Sequence, residues 1–359
     1  MFNFYFLNLA IVFIAALLAK VLGKKDSLAY SGYKPKILFT FIALSCLVLF
    51  AGLRSNVCGD ELAYRRLYLD IGANPILAFS YKDFGFGILF LLLNKISTDP
   101  QLMIFITALL TNILVVWGLY KYADPFELGM FLYVTADLYY VSWNGIRQIL
   151  VGAILFCSVG YLIKGNWKKY FIIVALVSTL HLTALMFIPI YFIVRRRAWS
   201  LLIWIIIGLA CLSRLFFSNF LEVLFKFLER TRYLEYQNTF AVSEEAVVSS
   251  VRILILLIPL ILALFNMKKL RILWKDSDIF VNLSIFSFIF MLFGAKEVTM
   301  SRLCLYFNFY LIILLAKLTK VFDNVVNSIL YISIIIGYFI FSTLVISKGW
   351  GMYYRSVFG

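Results

Sequence analysis

Long apolar runs alternate with short polar breaks along the chain, and the runs set the architecture. A membrane-spanning helix needs about 20 predominantly apolar residues. Runs near that length occupy 3–21, 36–53, 101–120, 126–142, 146–163, 198–218, 251–266, 278–294, 303–320 and 327–346. Two further apolar stretches do not fit a simple crossing. Residues 84–96 (FGFGILFLLLNKI) are too short, and 170–194 reads as one long span or as two half-length pieces meeting at His181.

Charge separates these alternatives, because cytoplasmic loops of multi-pass proteins are rich in Lys and Arg. The densest basic stretches are GKKDSLAYSGYKPK, KGNWKK, RRR at 195–197 and MKKLRILWK. All four share one side if the amino terminus is outside, 84–96 dips in without crossing, and 170–194 is a hairpin. The pattern predicts an all-α polytopic integral membrane protein of about ten crossings, with two re-entrant or interfacial segments. It forms a single transmembrane domain over 1–359 with no separate soluble domain. The outer loops are then 54–83, 142–145, 219–250 and 295–302. In EVLFKFLERTRYLEY, within 219–250, Leu221, Leu224, Phe225 and Leu228 recur at helical spacing. They predict an amphipathic helix at the outer surface.

Composition agrees with a membrane protein. Of 359 residues 64% are hydrophobic and 14% charged, against about 45–50% and 25% in soluble proteins. The first run lacks a basic leading segment and is long enough to be a span rather than a cleaved signal. Five cysteines without a CxxC pair, and a single histidine, argue against a zinc or iron–sulfur site and against a disulfide framework. There is no GxxxxGK[ST] and no GxGxxG, so neither ATP hydrolysis nor dinucleotide binding is expected. No cofactor or metal is expected. The net charge of +15 is explained by basic cytoplasmic loops and by attraction to anionic or phosphorylated lipid, without a nucleic-acid partner.

The choice between lysine and arginine carries separate information. The cytoplasmic loops hold 17 basic residues, four of them Arg; the outer loops with their helix ends and the C-terminal tail hold 13, nine of them Arg. Arginine's planar fork matches phosphate and carboxylate, whereas lysine is a solvated point charge. An arginine-rich outer face suggests an anionic ligand; arginines snorkelling at helix ends are the plainer explanation.

Four stretches carry candidate chemistry. In LRSNVCGDELAYRRLY, Arg54 ends a span, Gly59 allows a tight turn, and Asp60 is placed to cap a helix starting near Glu61. Asp60 and Tyr64 share a face, with Arg65 and Arg66 just beyond. In WNGIRQILVG, Asn144 is placed to cap the helix carrying Arg147 and Gln148, where an arginine beside the positive helix end suits an anion. In VSTLHLTALMFIP, His181 is an ionisable group inside an apolar run and thus a functional candidate. Its imidazole could take a proton from a hydroxyl or satisfy a buried hydrogen bond at the hairpin turn. In AKEVTMSRLCLYFNFY, Arg302 heads a span, with Tyr306 and Tyr310 on successive turns and Lys296 and Glu297 in the loop before it.

Taken together, LR…GDELAY, IRQILVGAILFCSVGYLIKGNWKKY, VSTLHLTAL and SRLCLYF resemble, in order and approximate spacing, segments of the EpsG-type membrane proteins. The resemblance implies a Wzy-type polysaccharide polymerase with a GT-C-like glycosyltransferase architecture in the bacterial inner membrane. Such a protein joins undecaprenyl-diphosphate-linked oligosaccharides, as donor and acceptor, at the outer face. Implied partners are that lipid-linked substrate, membrane lipid, a chain-length regulator and a flippase. Carried onto this chain, the resemblance makes Asp60, His181 and Arg147 the catalytic candidates. Arg54, Tyr64, Arg65, Gln148, Arg302 and Tyr306 become substrate-binding candidates. Arginines would stabilise charge developing on the departing diphosphate, and Asp60, Glu61 or His181 would assist the acceptor hydroxyl.

Three other classes compete. An O-antigen ligase predicts a longer outer loop than 219–250. A flippase predicts charges along a transmembrane path and internal pseudo-symmetry, yet charges within the apolar runs are few, Lys95 and Arg214 among them. A membrane acyltransferase predicts an early His pair or Arg-His motif, whereas His181 is alone.

Overall fold

The computed structural model of the chain describes residues 2–26, 32–215, 250–294, 298–345 and 354–358. Its elements are almost all helical, and they divide into two compact units, Met1–Tyr191 with Leu315–Gly359, and Phe192–Leu314. Among the described residues six helices are long and apolar enough to cross a membrane, and further apolar helices are shorter. The protein is an all-α polytopic membrane protein.

In the first unit, α1 (Phe2–Val21), α2 (Ile37–Gly52), α6 (Pro100–Tyr122), α9 (Ile146–Ile163) and α10 (Trp167–Ser178) pack each against the next. A two-stranded ribbon, β1 (Lys24–Lys25) with β2 (Tyr33–Lys34), follows α1. Local chemistry sets the helix ends. Asp99 accepts the Gln101 N–H at 2.9 Å, ahead of Pro100 in the first turn of α6. Gly165, with φ of 73°, ends α9, and Asn166 caps α10 through the Lys169 N–H. After the second unit the chain returns in the helix Asn324–Val345, which packs on α7 (Phe126–Thr135). There Lys20 and Tyr331 close on the buried Glu127.

Two expectations need correction. The run 126–142 is not one helix. α7 ends at Thr135, Asp137 adopts a left-handed φ of 71°, and α8 (Leu138–Asn144) starts anew. Asp tolerates that conformation better than most residues. The basic stretch MKKLRILWK is not a loop throughout. In the second unit the helix Ser250–Leu273 runs past a non-helical Asn266 and takes in Met267–Leu273, where Arg271 pairs with Asp278.

The two unusual apolar segments are short and paired. α5 (Phe84–Asn94) runs parallel to α3 (Gly59–Ala73), with α4 (Leu77–Ser80) between them in sequence. Tyr64 meets Phe86 (ring centroids 5.9 Å apart), Tyr68 meets Phe90 (5.4 Å), and Asn94 Nδ2 donates to the Tyr68 carbonyl. Those steps of four residues on each helix keep one face of each in register. Residues 170–194 form a hairpin. α10 stops at Ser178, a 3₁₀ turn covers Leu182–Met186, and α11 (Phe187–Val194) follows. Tyr170 and Tyr191 lie 5.5 Å apart, centroid to centroid. A straight helix at 1.5 Å per residue would separate them by roughly 30 Å, so the chain reverses between them. His181 sits at the reversal.

The second unit is built on a helix, Ser277–Gly294, that is buried along most of its length. Its polar residues are used internally. Asn282 donates to the Val194 and Arg196 carbonyls, and Ser287 hydrogen-bonds Asn308. The expected amphipathic helix of 219–250, and Lys296 and Glu297, lie outside the described residues.

Candidate active site

The sequence places two carboxylates side by side, Asp60 and Glu61, and the fold gives them opposite surroundings. Glu61 is fully buried. Its Oε1 accepts the Asn56 N–H at 2.9 Å and Arg65 Nε at 3.0 Å; its Oε2 accepts the Val57 N–H at 3.3 Å and lies 3.4 Å from Arg54 Nε. The left-handed φ of Asn56 (56°) turns the loop back so that both amides reach the carboxylate. Arg65 also donates to Gln101 Oε1 at 2.5 Å, and Gln101 Nε2 donates to the Gly52 and Arg54 carbonyls. These contacts tie α2, α3 and α6 together.

Arg54, expected at the end of a span as a substrate ligand, is 2% exposed. It donates to the Trp143 carbonyl at 3.0 Å and to the Ala51 carbonyl, and lies over the Trp143 ring. Arg54 and Arg65 therefore hold Glu61 and the loop. The C-terminal segment reinforces them. Ser55 N–H donates to the Arg355 carbonyl, Val357 N–H to the Leu53 carbonyl, and Tyr354 stacks on Phe4.

Asp60 does not cap α3, since it lies in the helix's first turn after Cys58. The cap comes from Asn144, whose Oδ1 accepts the Asp60 N–H at 2.9 Å. Asn144 thus serves α3 rather than α9, which has no side-chain cap. The Asp60 carboxylate is half-buried and makes no hydrogen bond or ion pair among the described residues.

One helical turn beyond Asp60, the Tyr64 hydroxyl accepts Arg147 Nε at 3.3 Å. Arg147 Nη1 donates to the Tyr81 hydroxyl at 2.7 Å and to Asp83 Oδ2. The guanidinium lies among the rings of Tyr64, Tyr81 and Phe86, 5.4–5.9 Å from their centroids, an arrangement that favours a cation. Nη2 has no hydrogen-bond partner among the described residues. Asp83 Oδ2 also faces His181 Nδ1 at 3.4 Å, and its Oδ1 accepts the Leu182 N–H at 3.3 Å.

Burial pushes the Asp83 carboxyl up. The His181 hydrogen bond and the Arg147 charge outweigh it and hold the carboxyl below its ordinary range. Tyr81 is raised, chiefly by burial, and stays a neutral phenol.

The glycines of FGFG permit this assembly. Gly85 N–H donates to the Thr179 carbonyl at 2.9 Å, and a Cβ on Gly85 would sit 2.2 Å from Thr179 Oγ1. A Cβ on Gly87 would sit 2.3 Å from the Ala78 carbonyl oxygen. Only residues without side chains let α5 meet the hairpin tip and α4 this closely.

The structure therefore gathers Arg147, His181 and Tyr64, with Asp60 a turn away, and adds two residues that the sequence reading missed, Tyr81 and Asp83. The overlooked signal was a carboxylate directly before a Gly-rich, half-length apolar segment. Gln148 is buried on α9, about 100° around the helix from Arg147. Arg302 and Tyr306 belong to the second unit, where Arg302 is exposed and Tyr306 buried. Among the described residues no three His, Cys, Asp or Glu side chains cluster as a metal site would require.

An all-α membrane protein with an arginine–carboxylate–imidazole cluster assembled from separate loops and helix ends defines the class. The EpsG family model matches residues 36–354, nearly the whole chain, and the protein belongs to that family. EpsG proteins are Wzy-like polysaccharide polymerases. No curated protein and no solved structure matches the chain.

Proposed function

We propose that the protein joins oligosaccharide repeat units carried on undecaprenyl diphosphate, at the outer face of the bacterial inner membrane. The observation that supports this reading most is the convergence of Arg147, Tyr64, Tyr81, Asp83 and His181 from four separate segments, in a chain matched over nearly its whole length to a polymerase family. Arg147 presents Nη2 to the diphosphate and stabilises charge as the leaving group departs. Asp60, one turn from Tyr64, hydrogen-bonds the acceptor sugar. An acidic or imidazole base takes the acceptor's proton. The lipid chains lie in the bilayer and approach between helices.

Deleting the chain's gene from its host and analysing surface glycans tests the reading. Surface lipid capped by a single repeat unit is expected. Loss of all capping would mark a ligase, and lipid-linked units stranded on the inner leaflet would mark a flippase; either would overturn it.

A further inference from the structure

We infer that Asp83 is a positioning residue that makes His181, rather than Asp60, the proton acceptor of the transfer; the assignment rests on the polymerase reading for its reaction. Asp83 occupies the junction where the short helix α5 meets the tip of the α10–α11 hairpin. Its carboxylate is 3% exposed and faces three donors from two other segments: Arg147 Nη1, His181 Nδ1 at 3.4 Å and the Leu182 N–H at 3.3 Å. The backbone fixes the same pair, because Gly85 donates to the Thr179 carbonyl and His181 donates to the Val177 carbonyl at 3.0 Å.

A carboxylate facing Nδ1 selects the tautomer with the proton on Nδ1, since a lone pair there would oppose another lone pair. Nε2 is then the basic nitrogen. A base oriented by a third group is the arrangement that activates a hydroxyl. Asp60 lacks such a partner among the described residues. Because Asp83 Oδ2 is shared, one atom fixes both the base and the arginine that meets the leaving group.

The step balances. The acceptor oxygen bonds to the anomeric carbon and its proton passes to His181 Nε2. The anomeric C–O bond breaks, and its electron pair leaves on the diphosphate oxygen beside Arg147. The imidazolium then releases its proton to solvent. Among the described residues the titratable and charged groups around the cluster include Asp83, Arg147, Tyr64, Tyr81 and Lys82.

One histidine in the chain makes the test direct. Full-length protein with ¹⁵N-labelled histidine, purified without a histidine tag and held in lipid nanodiscs at pH 8, gives the signal of one imidazole. The expected spectrum shows Nδ1 protonated and Nε2 bare, and Asp83→Ala loses that preference. A wild-type ring protonated on Nε2 overturns the assignment, whatever the variants do.

Kinetics form the second arm, using membranes of cells that lack the chain and so supply their own lipid-linked repeat units. There Asp83→Asn lowers kcat by on the order of 100-fold or more. Asp83→Glu restores part of the rate. Unchanged activity, or a loss that Asp83→Glu does not in part restore, overturns the assignment. Wild-type protein that forms no polymer in those membranes overturns the polymerase reading instead, and the tautomer still decides the role of Asp83.

Discussion

Asp60 and Glu61 show how far two neighbouring carboxylates can diverge. Glu61 is buried between two arginines and two amides, so removing its charge leaves Arg54 buried without a counter-charge. Breaking a buried pair by removing one partner costs about 3–5 kcal/mol. Glu61→Gln is therefore expected to lower the thermal unfolding midpoint sharply and to reduce the amount of protein in the membrane. Asp60→Asn removes no contact within the described protein, and the change in stability is expected to stay within about 0.5 kcal/mol. Its effect falls on KM for the lipid-linked acceptor. An Asp60→Asn protein that unfolds as readily as Glu61→Gln would contradict this division.

The sequence singled out His181 and Arg147, because an ionisable group in or heading an apolar run is conspicuous. It could not rank Asp60 over Glu61, since both lie in the first turn of one helix and only tertiary contacts separate them. Asp83 escaped notice for a related reason. It looked like one more polar residue in a loop, and its partners are 64 and 98 positions away.

At the level of elements, apolar run length predicted most helices and the half-length helix within 84–96, and basic loops predicted the 170–194 hairpin. The broken helix at Asp137 was not legible, because hydropathy stays high across it and the break is a backbone event. One glycine tests the α5 packing. In Gly87→Ala the new Cβ meets backbone, the Ala78 carbonyl oxygen and Cα. Overpacking of this kind costs about 1–3 kcal/mol, so a lower unfolding midpoint and reduced polymer are expected. An unchanged midpoint would mean that α5 and α4 are not so close. The hairpin is tested by labelling. In a background freed of the five native cysteines, a cysteine at 196 is expected to resist an impermeant thiol reagent from outside. Labelling there would mean that 170–194 crosses once.

For the whole molecule, class and family were legible because hydropathy and four spaced motifs extend over most of the chain, and the family match spans 36–354. The placing of Arg54 inside a buried network was not legible, since an arginine at a helix end looks the same whether it meets lipid, ligand or a distant glutamate. The fold makes the loop holding Arg54, Glu61 and Arg65 a frame, and sets Arg147 with its aromatic rings, Asp83 and His181 within reach of it. That cluster is the centre of the polymerase account.

Its most direct test is chain length in deletion cells complemented with Arg147→Ala, with membrane protein measured in the same cells. The account predicts that the protein is still present in the membrane and that long-chain polysaccharide is lost, leaving single repeat units. A normal chain-length ladder in cells carrying Arg147→Ala would contradict it.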